Sequence, residues 1–427
     1  MNVYDSQRMA DVMRPLGYEV ANDYEGADMV VLNTCHIREK AAEKVYSELG
    51  RIRAQKDSNH DMLIAVAGCV GQAEGEEIFR RAPYVDIVVG PQSYQSLPDM
   101  VGKVRRDRGH AINLEFEDDK FDQLPGTHQT VENGAAFVSI QEGCDKFCTF
   151  CVVPYTRGAE YSRPVADIYR ECMALAAKGA LEITLLGQNV NAYHGVDIDG
   201  NVWDLGQLIN HIATIPTLKR IRYSTSHPRD MHDSLYGAHA NQSKLMPFLG
   251  LPVQSGADNV LKAMNRKHTR KDYFAVVDRL RAGNPDMQFG SDFIIGFPGE
   301  TEADFDDTMD LLIKVGFIQG YSFKYSPRPG TPGADMEDQV PDDVKSRRLA
   351  LFQAQINKQQ EAFNQSCIGK TMEILFDRPG KYEGQLVGRS PYMQSVYITG
   401  ADKSLLGSIA TVTIRDAHPN SLEAQLV

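Results

Sequence analysis

Short apolar runs of strand length recur six times between residues 136 and 325, and this repetition constrains the fold more than any other feature of the chain. The candidate strands are residues 136–141, 183–186, 220–224, 250–254, 288–295 and 321–325. Helical patterns fall between most of them, at residues 164–177, 205–214, 271–282 and 302–315. The alternation predicts β/α units on a parallel sheet, and Thr301 with Asp304 predicts a capping box on the last helix. Six such units predict a partial barrel with its active site at the carboxyl ends of the strands.

The composition is that of a chain with two or three globular domains. Of its 427 residues, 42% are hydrophobic and 24% are charged, which is enough for a sizeable core. Neither an apolar run of membrane-spanning length nor a basic-then-apolar amino terminus is found, so we expect no membrane association and no signal peptide. Seven cysteines, three of them in one motif, favour a reducing cytoplasm over a secreted disulfide framework. The net charge of −12 argues against a general nucleic-acid coat but permits a local basic surface.

Three cysteines within eight residues, Cys144, Cys148 and Cys151, follow the first of the six strand candidates. Such a loop can direct three thiolates at one metal centre and leaves one coordination position open. Thiolates select zinc or iron–sulfur over hard cations. A structural zinc site normally closes with a second ligand pair, yet the next histidine is His194 and no second Cys-x2-Cys follows. The spacing therefore favours an iron–sulfur cluster with one free iron.

The amino-terminal third predicts a small parallel α/β domain. Its strand candidates are residues 27–34, 62–68 and 85–89, with helices from about Glu39 and from Pro91. Cys35 and Cys69 each follow a strand candidate, at the edge where open α/β sheets collect ligands. Two isolated cysteines are usually small buried hydrophobic residues, but their matching placement favours a role as ligands.

The carboxyl-terminal region changes character after a linker and a helix. Residues 117–134 are acidic and contain Gly and Pro, which predicts a linker, and residues 341–363 predict a Gln-rich helix. Residues 371–426 alternate in short strands between Gly and Pro turns, which predicts a small β-barrel. Residues 364–427 carry six basic and six acidic side chains, so this module is the part least repulsive to phosphate. We place the domain boundaries at 1–116, 130–360 and 363–427.

Several segments together resemble the radical S-adenosylmethionine (SAM) methylthiotransferases over essentially the whole chain. Beside the central cysteine motif, these segments are 31–35, 67–69, 186–191, 251–256 and 292–300. Segments 222–230, 264–269 and 325–331 are most similar to the members of that family that modify isopentenyladenosine in tRNA. The tail resembles the TRAM domain, an RNA-binding β-barrel.

The resemblance implies replacement of a C–H by C–S–CH3 at carbon 2 of an isopentenylated adenine beside the anticodon. It implies a [4Fe–4S] cluster on Cys144, Cys148 and Cys151, with SAM bound at the free iron. An aromatic C–H offers no acidity to a base, so a radical route suits the chemistry. A second SAM would supply the methyl group. The implied partners are tRNA and a reductant such as flavodoxin, and we expect a monomer in the cytoplasm.

The resemblance also implies residues that bind SAM. These are Gly187, Gln188, Asn189, Ser224, Ser226, Gln254, Ile295 and Gly296. From the residues alone, the first three are equally typical of a turn, and polar residues are common at strand ends. No residue is assigned as a catalytic acid or base.

In the family a second cluster is held by three amino-terminal cysteines, the first in a Gly-Cys-Gln-Met-Asn stretch. This chain begins Met1-Asn-Val-Tyr and carries two of them, Cys35 and Cys69. We expect a natural start upstream of Met1. The alternative is a chain whose second cluster is in question while the radical cluster is retained.

Rival functions remain open from the sequence. They are methylthiolation of threonylcarbamoyl-adenosine in tRNA, methylthiolation of an aspartate in a ribosomal protein, a truncated enzyme that only cleaves SAM, and a non-catalytic RNA-binding protein with a zinc site. Three basic runs, 103–108, 266–271 and 345–348, are candidates for phosphate contacts and equally typical of solvated surface. Cys172 is predicted to be a packing residue, and Cys367 is given no function.

Overall fold

The computed structural model describes residues 1–35, 39–116, 120–124, 131 and 133–427. The chain divides into two compact units. Unit 1 comprises residues 1–129, 142–161 and 328–331, and unit 2 comprises residues 130–141, 162–327 and 332–427. Within the described ranges, none of the helices combines the length and apolar character needed to cross a bilayer.

The strands are β1 Met29–Asn33, β2 Leu63–Ala67, β3 Ile87–Val89, β4 Ala111–Asn113, β5 Ala135–Ser139, β6 Gln141–Glu142, β7 Tyr161–Ser162, β8 Glu182–Leu186, β9 His194–Val196, β10 Val202–Asp204, β11 Arg220–Tyr223, β12 Phe248–Gly250, β13 Gln288–Ile295, β14 Gln319–Lys324, β15 Thr371–Pro379, β16 Gln385–Arg389, β17 Ser395–Thr399, β18 Ile409–Ala417 and β19 Leu422–Leu426. The α-helices are α1 Asn2–Met13, α2 Glu39–Ser58, α3 Gly68–Glu74, α4 Glu77–Arg81, α5 Leu97–Asp107, α6 Lys120–Gln123, α7 Val153–Arg157, α8 Val165–Ala177, α9 Leu205–Ile212, α10 Asp233–Asn241, α11 Asp258–Ala263, α12 Arg270–Gly283, α13 Glu302–Val315 and α14 Asp342–Ser366.

Unit 1 is built on a parallel sheet in the order β1-β2-β3-β4. Alternate residues of β2 enter two apolar cores, because successive side chains of a strand point to opposite faces. Leu63, Ala65 and Ala67 pack with residues of α1 and α5, while Ile64 and Val66 pack with residues of α2 and α4. The small parallel α/β domain predicted from the sequence is confirmed.

Unit 2 contains the six predicted β/α strands in two parallel sheets, β5-β8-β11 and β12-β13-β14. A single parallel bridge from Ile221 in β11 to Leu245 continues the order towards β12. The strands therefore follow chain order around a partial barrel, with β5 and β14 as its end strands. Helices α8, α9, α12, α13 and α14 contribute to the core on the outer face of these strands.

The carboxyl-terminal strands close into a barrel in the order β15-β16-β17-β19-β18. Its interior is filled by apolar side chains of all five strands, among them Ile374, Phe376 and Val412. The predicted fold class is confirmed in its three parts, namely a small parallel α/β domain, a partial (β/α)6 barrel and a small β-barrel.

Three predictions about elements need correction. The strand predicted at 250–254 is Phe248–Gly250, because Pro252 has no N–H to donate to a ladder. The predicted linker 117–134 lies mostly outside the described residues, but Lys120–Gln123 within it is a helix and Lys120 is buried. The helix predicted from Pro91 begins at Leu97 after a 3-10 turn.

Candidate functional site

The cysteine loop of unit 1 is held by its own backbone. The Cys151 N–H donates to the Cys148 carbonyl at 2.9 Å, and the Cys144 N–H donates to the Gly158 carbonyl at 3.3 Å. Gly143 has a φ of +72°, and a Cβ there would overlap the Ala159 carbonyl, so glycine is required. The loop is therefore shaped before any metal binds.

All seven cysteines of the chain lie within the described ranges, and none of them forms a disulfide there. Cys148 is buried, whereas Cys144 and Cys151 are half-buried. Burial raises the pKa of Cys144 to about 11, so its proton must leave when a metal binds. Three soft donors on one preformed loop fit a [4Fe–4S] cluster with one open iron.

A buried ionic network lies in the same unit, next to the cysteine loop. Arg157, at the end of α7, donates through Nη2 to Asp5 Oδ2 at 2.6 Å. Its Nη1 lies 3.5 Å from Glu142 Oε1, and Lys120 Nζ lies 2.5 Å from Glu142 Oε2. All four side chains are at most 3% exposed. Buried charges persist only when paired, so this network fixes α7 and Glu142 on either side of the loop.

Cys35 and Cys69 follow β1 and β2, as predicted, and the structure brings them together. The paired ends of these strands are Asn33 and Ala67. A hydrogen bond with the Cys35 thiol, assisted by the charge of Arg157, lowers the pKa of Cys69 to about 5 against the opposing effect of burial. A thiolate is the form that binds a metal.

The turn Gly187-Gln188-Asn189 directly follows β8 in unit 2 and is held by one side chain. Gln141 Oε1 accepts from the N–H groups of Gln188 at 2.9 Å and Asn189 at 3.0 Å. A Cβ at Gly187 would collide with Gln141. Asn189 Nδ2 donates to Asp230 Oδ2 at 2.8 Å. The turn is thus rigid, as a ligand-binding turn needs to be.

Ser224, Ser226 and Gln254 also lie at strand carboxyl ends, and the backbone there is unusual. Thr225 has a φ of +68° and Gln254 a φ of +78°. Left-handed backbone is strained for residues other than glycine and concentrates at ligand sites. Ser226 is buried, and its hydroxyl has no hydrogen-bond partner among the described residues. The strain at Thr225 could not be predicted from the sequence.

Ile295 and Gly296 end β13, where the backbone turns with a Gly296 φ of +74°. The Gly296 N–H donates to Glu300 Oε1 at 3.0 Å. Burial raises the pKa of Glu300 to about 7, while the ion pair with Arg348 opposes that shift. The Glu300 carboxylate therefore fastens this turn to α14 through Arg348 Nη1 at 2.8 Å.

The predicted basic runs are partly structural. Arg266 and His268 are buried in one run, as are Lys345 and Arg348 in another, so these side chains are not available as phosphate-binding surface. The exposed cations of the run at 103–108 stay candidates. Cys172 is fully buried in α8, which confirms its packing role.

Sequence reasoning missed Arg157, Glu142 and Lys120. The available signal was Tyr155-Thr-Arg157 directly after the cysteine motif, with an acidic residue just before the motif. The pairing of Arg157 with Asp5 could not be seen in the sequence, because the two residues are far apart in the chain.

Comparison with known proteins gives three family matches. Residues 1–90 match the uncharacterized protein family UPF0004, residues 138–312 the Radical SAM superfamily, and residues 365–427 the TRAM domain. Among solved structures, the radical S-adenosylmethionine methyltransferase TsrM from Kitasatospora setae aligns with a TM-score of 0.60 at 15% identity, over 78% of this chain and 72% of that chain. The cobalamin-dependent enzyme OxsB aligns with a TM-score of 0.55 at 12% identity, over 83% of this chain and 53% of that chain. These two likenesses show the fold.

The barrel, its cysteine loop and the superfamily match define a radical SAM enzyme, a class that uses a [4Fe–4S] cluster and SAM. Its most similar relatives include proteins named tRNA-2-methylthio-N(6)-dimethylallyladenosine synthase. The one from Wolbachia pipientis subsp. Culex pipiens (strain wPip) is 61% identical over 99% of this chain and 96% of that protein. The one from Rickettsia canadensis (strain McKiel) is 58% identical over 100% of this chain and 97% of that protein. The chain belongs to the family of the tRNA-2-methylthio-N(6)-dimethylallyladenosine synthases.

Proposed function

We propose that this enzyme installs a methylthio group on carbon 2 of isopentenylated adenosine beside the anticodon of tRNA. The observation that carries the proposal is the 61% identity to a synthase of that name over 99% of the chain. The three cysteines on one preformed loop, none of them in a disulfide among the described residues, supply the donor set that the chemistry needs.

Cys144, Cys148 and Cys151 are the proposed ligands of the radical cluster. When bound there, the cluster supplies the electron that cleaves SAM, and a second SAM supplies the methyl group. The contribution of the chain is to hold these reactants and exclude water. The buried network around Arg157 keeps the loop in place. Cys35 and Cys69 are proposed as ligands of a second soft-metal group in the same unit.

The proposed SAM-binding residues are those expected from the sequence. At each set of them the local structure supports the proposal. The turn Gly187–Asn189 is rigid because Gln141 holds it. Ser224 and Ser226 flank the strained residue Thr225, and Gln254 itself has a left-handed backbone. Ile295 and Gly296 form a turn in which the Glu300 carboxylate fixes the backbone.

We further propose the domain boundaries 1–116, 130–360 and 363–427, of which the last encloses the TRAM match at 365–427. A cytoplasmic monomer that takes its electrons from a flavodoxin-like reductant fits an enzyme that acts on tRNA and whose cysteines form no disulfide among the described residues.

The test is mass spectrometry of tRNA nucleosides after anaerobic incubation of the chain reconstituted with iron and sulfide. The reaction contains SAM, a reductant and tRNA with isopentenyladenosine. Parallel reactions offer tRNA with threonylcarbamoyl-adenosine and a ribosomal protein substrate. The expected product is the 2-methylthio nucleoside from the first substrate alone.

Cys148→Ala should abolish both the product and 5′-deoxyadenosine release. The matched control Cys172→Ala, which changes a buried packing cysteine, should retain both. A colourless, zinc-containing protein that releases no 5′-deoxyadenosine would refute the proposal.

A further inference from the structure

The inner face of β13 and β14 carries side chains that the core does not use. On β13, Phe289 and Phe293 belong to the apolar core on the outer face. Because side chains of a strand alternate between its faces, Asp292 and Ile294 lie on the inner face. The register pairs Asp292 with Tyr321 and places Phe323 two residues further along β14. Paired residues of neighbouring strands share a face of the sheet. Asp292, Tyr321 and Phe323 therefore form one surface, which we call the inner patch.

Asp292 is a half-buried carboxylate with an unusual environment. None of the hydrogen bonds or ion pairs among the described residues involves its carboxylate oxygens. The charge of Arg266 acts on it, but the Arg266 guanidinium donates through Nη2 to the Pro252 carbonyl at 2.5 Å. Burial raises the pKa of Asp292 to about 6. A partly desolvated acceptor of this kind costs stability unless a ligand completes it.

The aromatic members of the inner patch are exposed although they lie on a barrel strand. Tyr321 is 54% exposed and Phe323 is 39% exposed. Phe137 on the other end strand is 38% exposed, and its neighbours Ala136 and Val138 enter the outer core. Exposed aromatic faces are the surfaces on which proteins stack unpaired bases. The inner patch thus offers planar apolar contact beside a hydrogen-bond acceptor.

A carboxylate beside exposed aromatic side chains favours some ligands over others. A carboxylate repels phosphate and accepts from N–H or O–H groups. A purine with a secondary amine at carbon 6 presents one N–H donor on its edge and two aromatic faces. Carbon 2 is a different ring atom, separated from carbon 6 by N1, so holding the N6–H leaves carbon 2 free for reaction. A cytosine or guanine edge would reach the same acceptor, but neither carries the isopentenyl group that aromatic side chains can cover.

We propose that Asp292 accepts a hydrogen bond from the N6–H of the target adenine, whose base and isopentenyl group pack on Tyr321 and Phe323. This inference rests on the proposed function and names how that substrate is recognised. The adenine of SAM offers a similar donor. Gln254, one of the residues proposed for SAM, donates through its N–H to the Asp292 carbonyl at 3.0 Å. The two adenines are therefore separated by the KM for SAM, which rises if Asp292 binds the adenine of SAM.

The test compares Asp292→Asn with wild-type holoenzyme on an anticodon stem-loop carrying isopentenyladenosine. A second stem-loop carries the same base with a methyl group replacing the N6 hydrogen. Measured quantities are kcat/KM for each RNA, KM for SAM, and the Kd of each RNA for the protein without SAM. Asp306→Asn, an exposed aspartate of α13, is the matched control. Tyr321→Leu probes the aromatic contact independently, and thermal melting checks folding of every variant.

We expect Asp292→Asn to lower kcat/KM for the first RNA by about 10- to 100-fold, the range for a hydrogen bond to a charged group. The KM for SAM should change less than twofold. The methyl group on N6 should lower the kcat/KM of the wild-type enzyme by a similar factor. It should not lower the kcat/KM of Asp292→Asn any further. Tyr321→Leu should weaken RNA binding by about 5- to 100-fold.

Three results would overturn the inference. The first is an unchanged kcat/KM in Asp292→Asn, and the second is a loss from Asp292→Asn that simply adds to the loss from N6 methylation. The third is a raised KM for SAM with unchanged RNA binding. A wild-type enzyme that forms no methylthio nucleoside would instead overturn the proposed function. In that case the two RNA Kd values decide the inference alone. Equal binding of both RNAs by wild type contradicts it, and weaker binding of the methylated RNA supports it.

Discussion

Two arginines of β11 attach the carboxyl-terminal barrel to the partial barrel within unit 2. Arg222 donates through Nη1 to the Pro391 carbonyl and through Nη2 to the Ser390 carbonyl, both at 2.8 Å. Arg220 donates in the same manner to the carbonyls of Arg389 and Glu373. Both guanidinium groups are at most 5% exposed and share one buried carboxylate, that of Glu182, whose Oε2 lies 2.9 Å from Arg222 Nε. We predict that Arg222→Met loosens the carboxyl-terminal barrel.

The magnitude follows from the contacts that are lost. Arg222 contributes two charge-assisted hydrogen bonds, each worth about 1.5–3 kcal/mol. Methionine carries no charge, so the substitution also removes the cost of burying the guanidinium group, and this offsets part of the lost free energy. Glu182 keeps Arg220 at 3.7 Å as its partner. A net cost of about 2–4 kcal/mol follows, which is about 30- to 900-fold in the equilibrium for local opening.

Native-state hydrogen exchange of amides in β15 and β16 measures this opening directly. Arg222→Met should speed exchange there by the predicted factor and leave β2 and β13 unchanged. If the barrel positions RNA, as its TRAM match suggests, the Kd for tRNA should rise while the KM for SAM stays constant. Arg415→Met, an exposed arginine of β18 bonded to Gln425, should change neither quantity.

Two results would refute this reasoning. One is unchanged exchange in β15 and β16. The other is a uniform rise in exchange over the whole of unit 2, which would mean that Arg222 stabilises the partial barrel instead. Glu182→Gln serves as a second variant, because it leaves both buried arginines without their shared carboxylate and should open the same contact.

Three further predictions concern the cysteine loop and the inner patch. Gly143→Ala, with its φ of +72° and an overlap with the Ala159 carbonyl, should lower the iron bound after reconstitution, whereas Gly179→Ala, at a similarly left-handed φ with open space, should not. Arg157→Met should lower the free energy of unfolding of unit 1 by about 3–5 kcal/mol in denaturant titration, because two buried carboxylates lose their shared partner, and Arg157→Lys should restore part of it. The native pKa of Asp292 is raised from 3.8 to about 6, so the folded state binds this proton more tightly and its contribution to stability is lost as the pH rises from about 4 to 6. Asp292→Asn should therefore raise the free energy of unfolding at pH 7 by about 1–3 kcal/mol, which is measured as a higher melting temperature. An unchanged or lowered melting temperature would contradict this.

The elements with the clearest local signals were predicted to the residue. Helix Glu302–Val315 begins at a capping box whose reciprocal hydrogen bonds the structure contains. Strand Gln288–Ile295 has two Phe and two Ile among its eight residues, the residue types that favour strands. Helix Asp233–Asn241 was missed because its polar and apolar residues show little helical periodicity and it contains Gly237. Local pattern thus located elements whose own sequence determines them, and failed where tertiary packing decides.

The candidate site shows the same division. Cys144, Cys148 and Cys151 could be found because metal ligands on one loop have a characteristic spacing. Arg157 could not, since its partner Asp5 is 152 residues away in the chain. Asp292 stood in a segment already recognised, yet its place beside Tyr321 depends on the register of β13 with β14. Spacing within one loop can be seen in a sequence, whereas a meeting of distant strands cannot.

Pairing separates the structural carboxylates of this chain from the one that faces a ligand. Asp5 and Glu142 share Arg157, Glu182 is held by two arginines, and Glu300 by Arg348. Each of these buried charges is offset by a cation that folding itself supplies, so it fixes an element in place. Asp292 is the contrast, since in the described part of the chain no such ion pair reaches it. Asp304, which is also buried, is held instead by the N–H and the hydroxyl of Thr301. A carboxylate with neither kind of partner among the described residues is the expected state of an acceptor that its substrate completes.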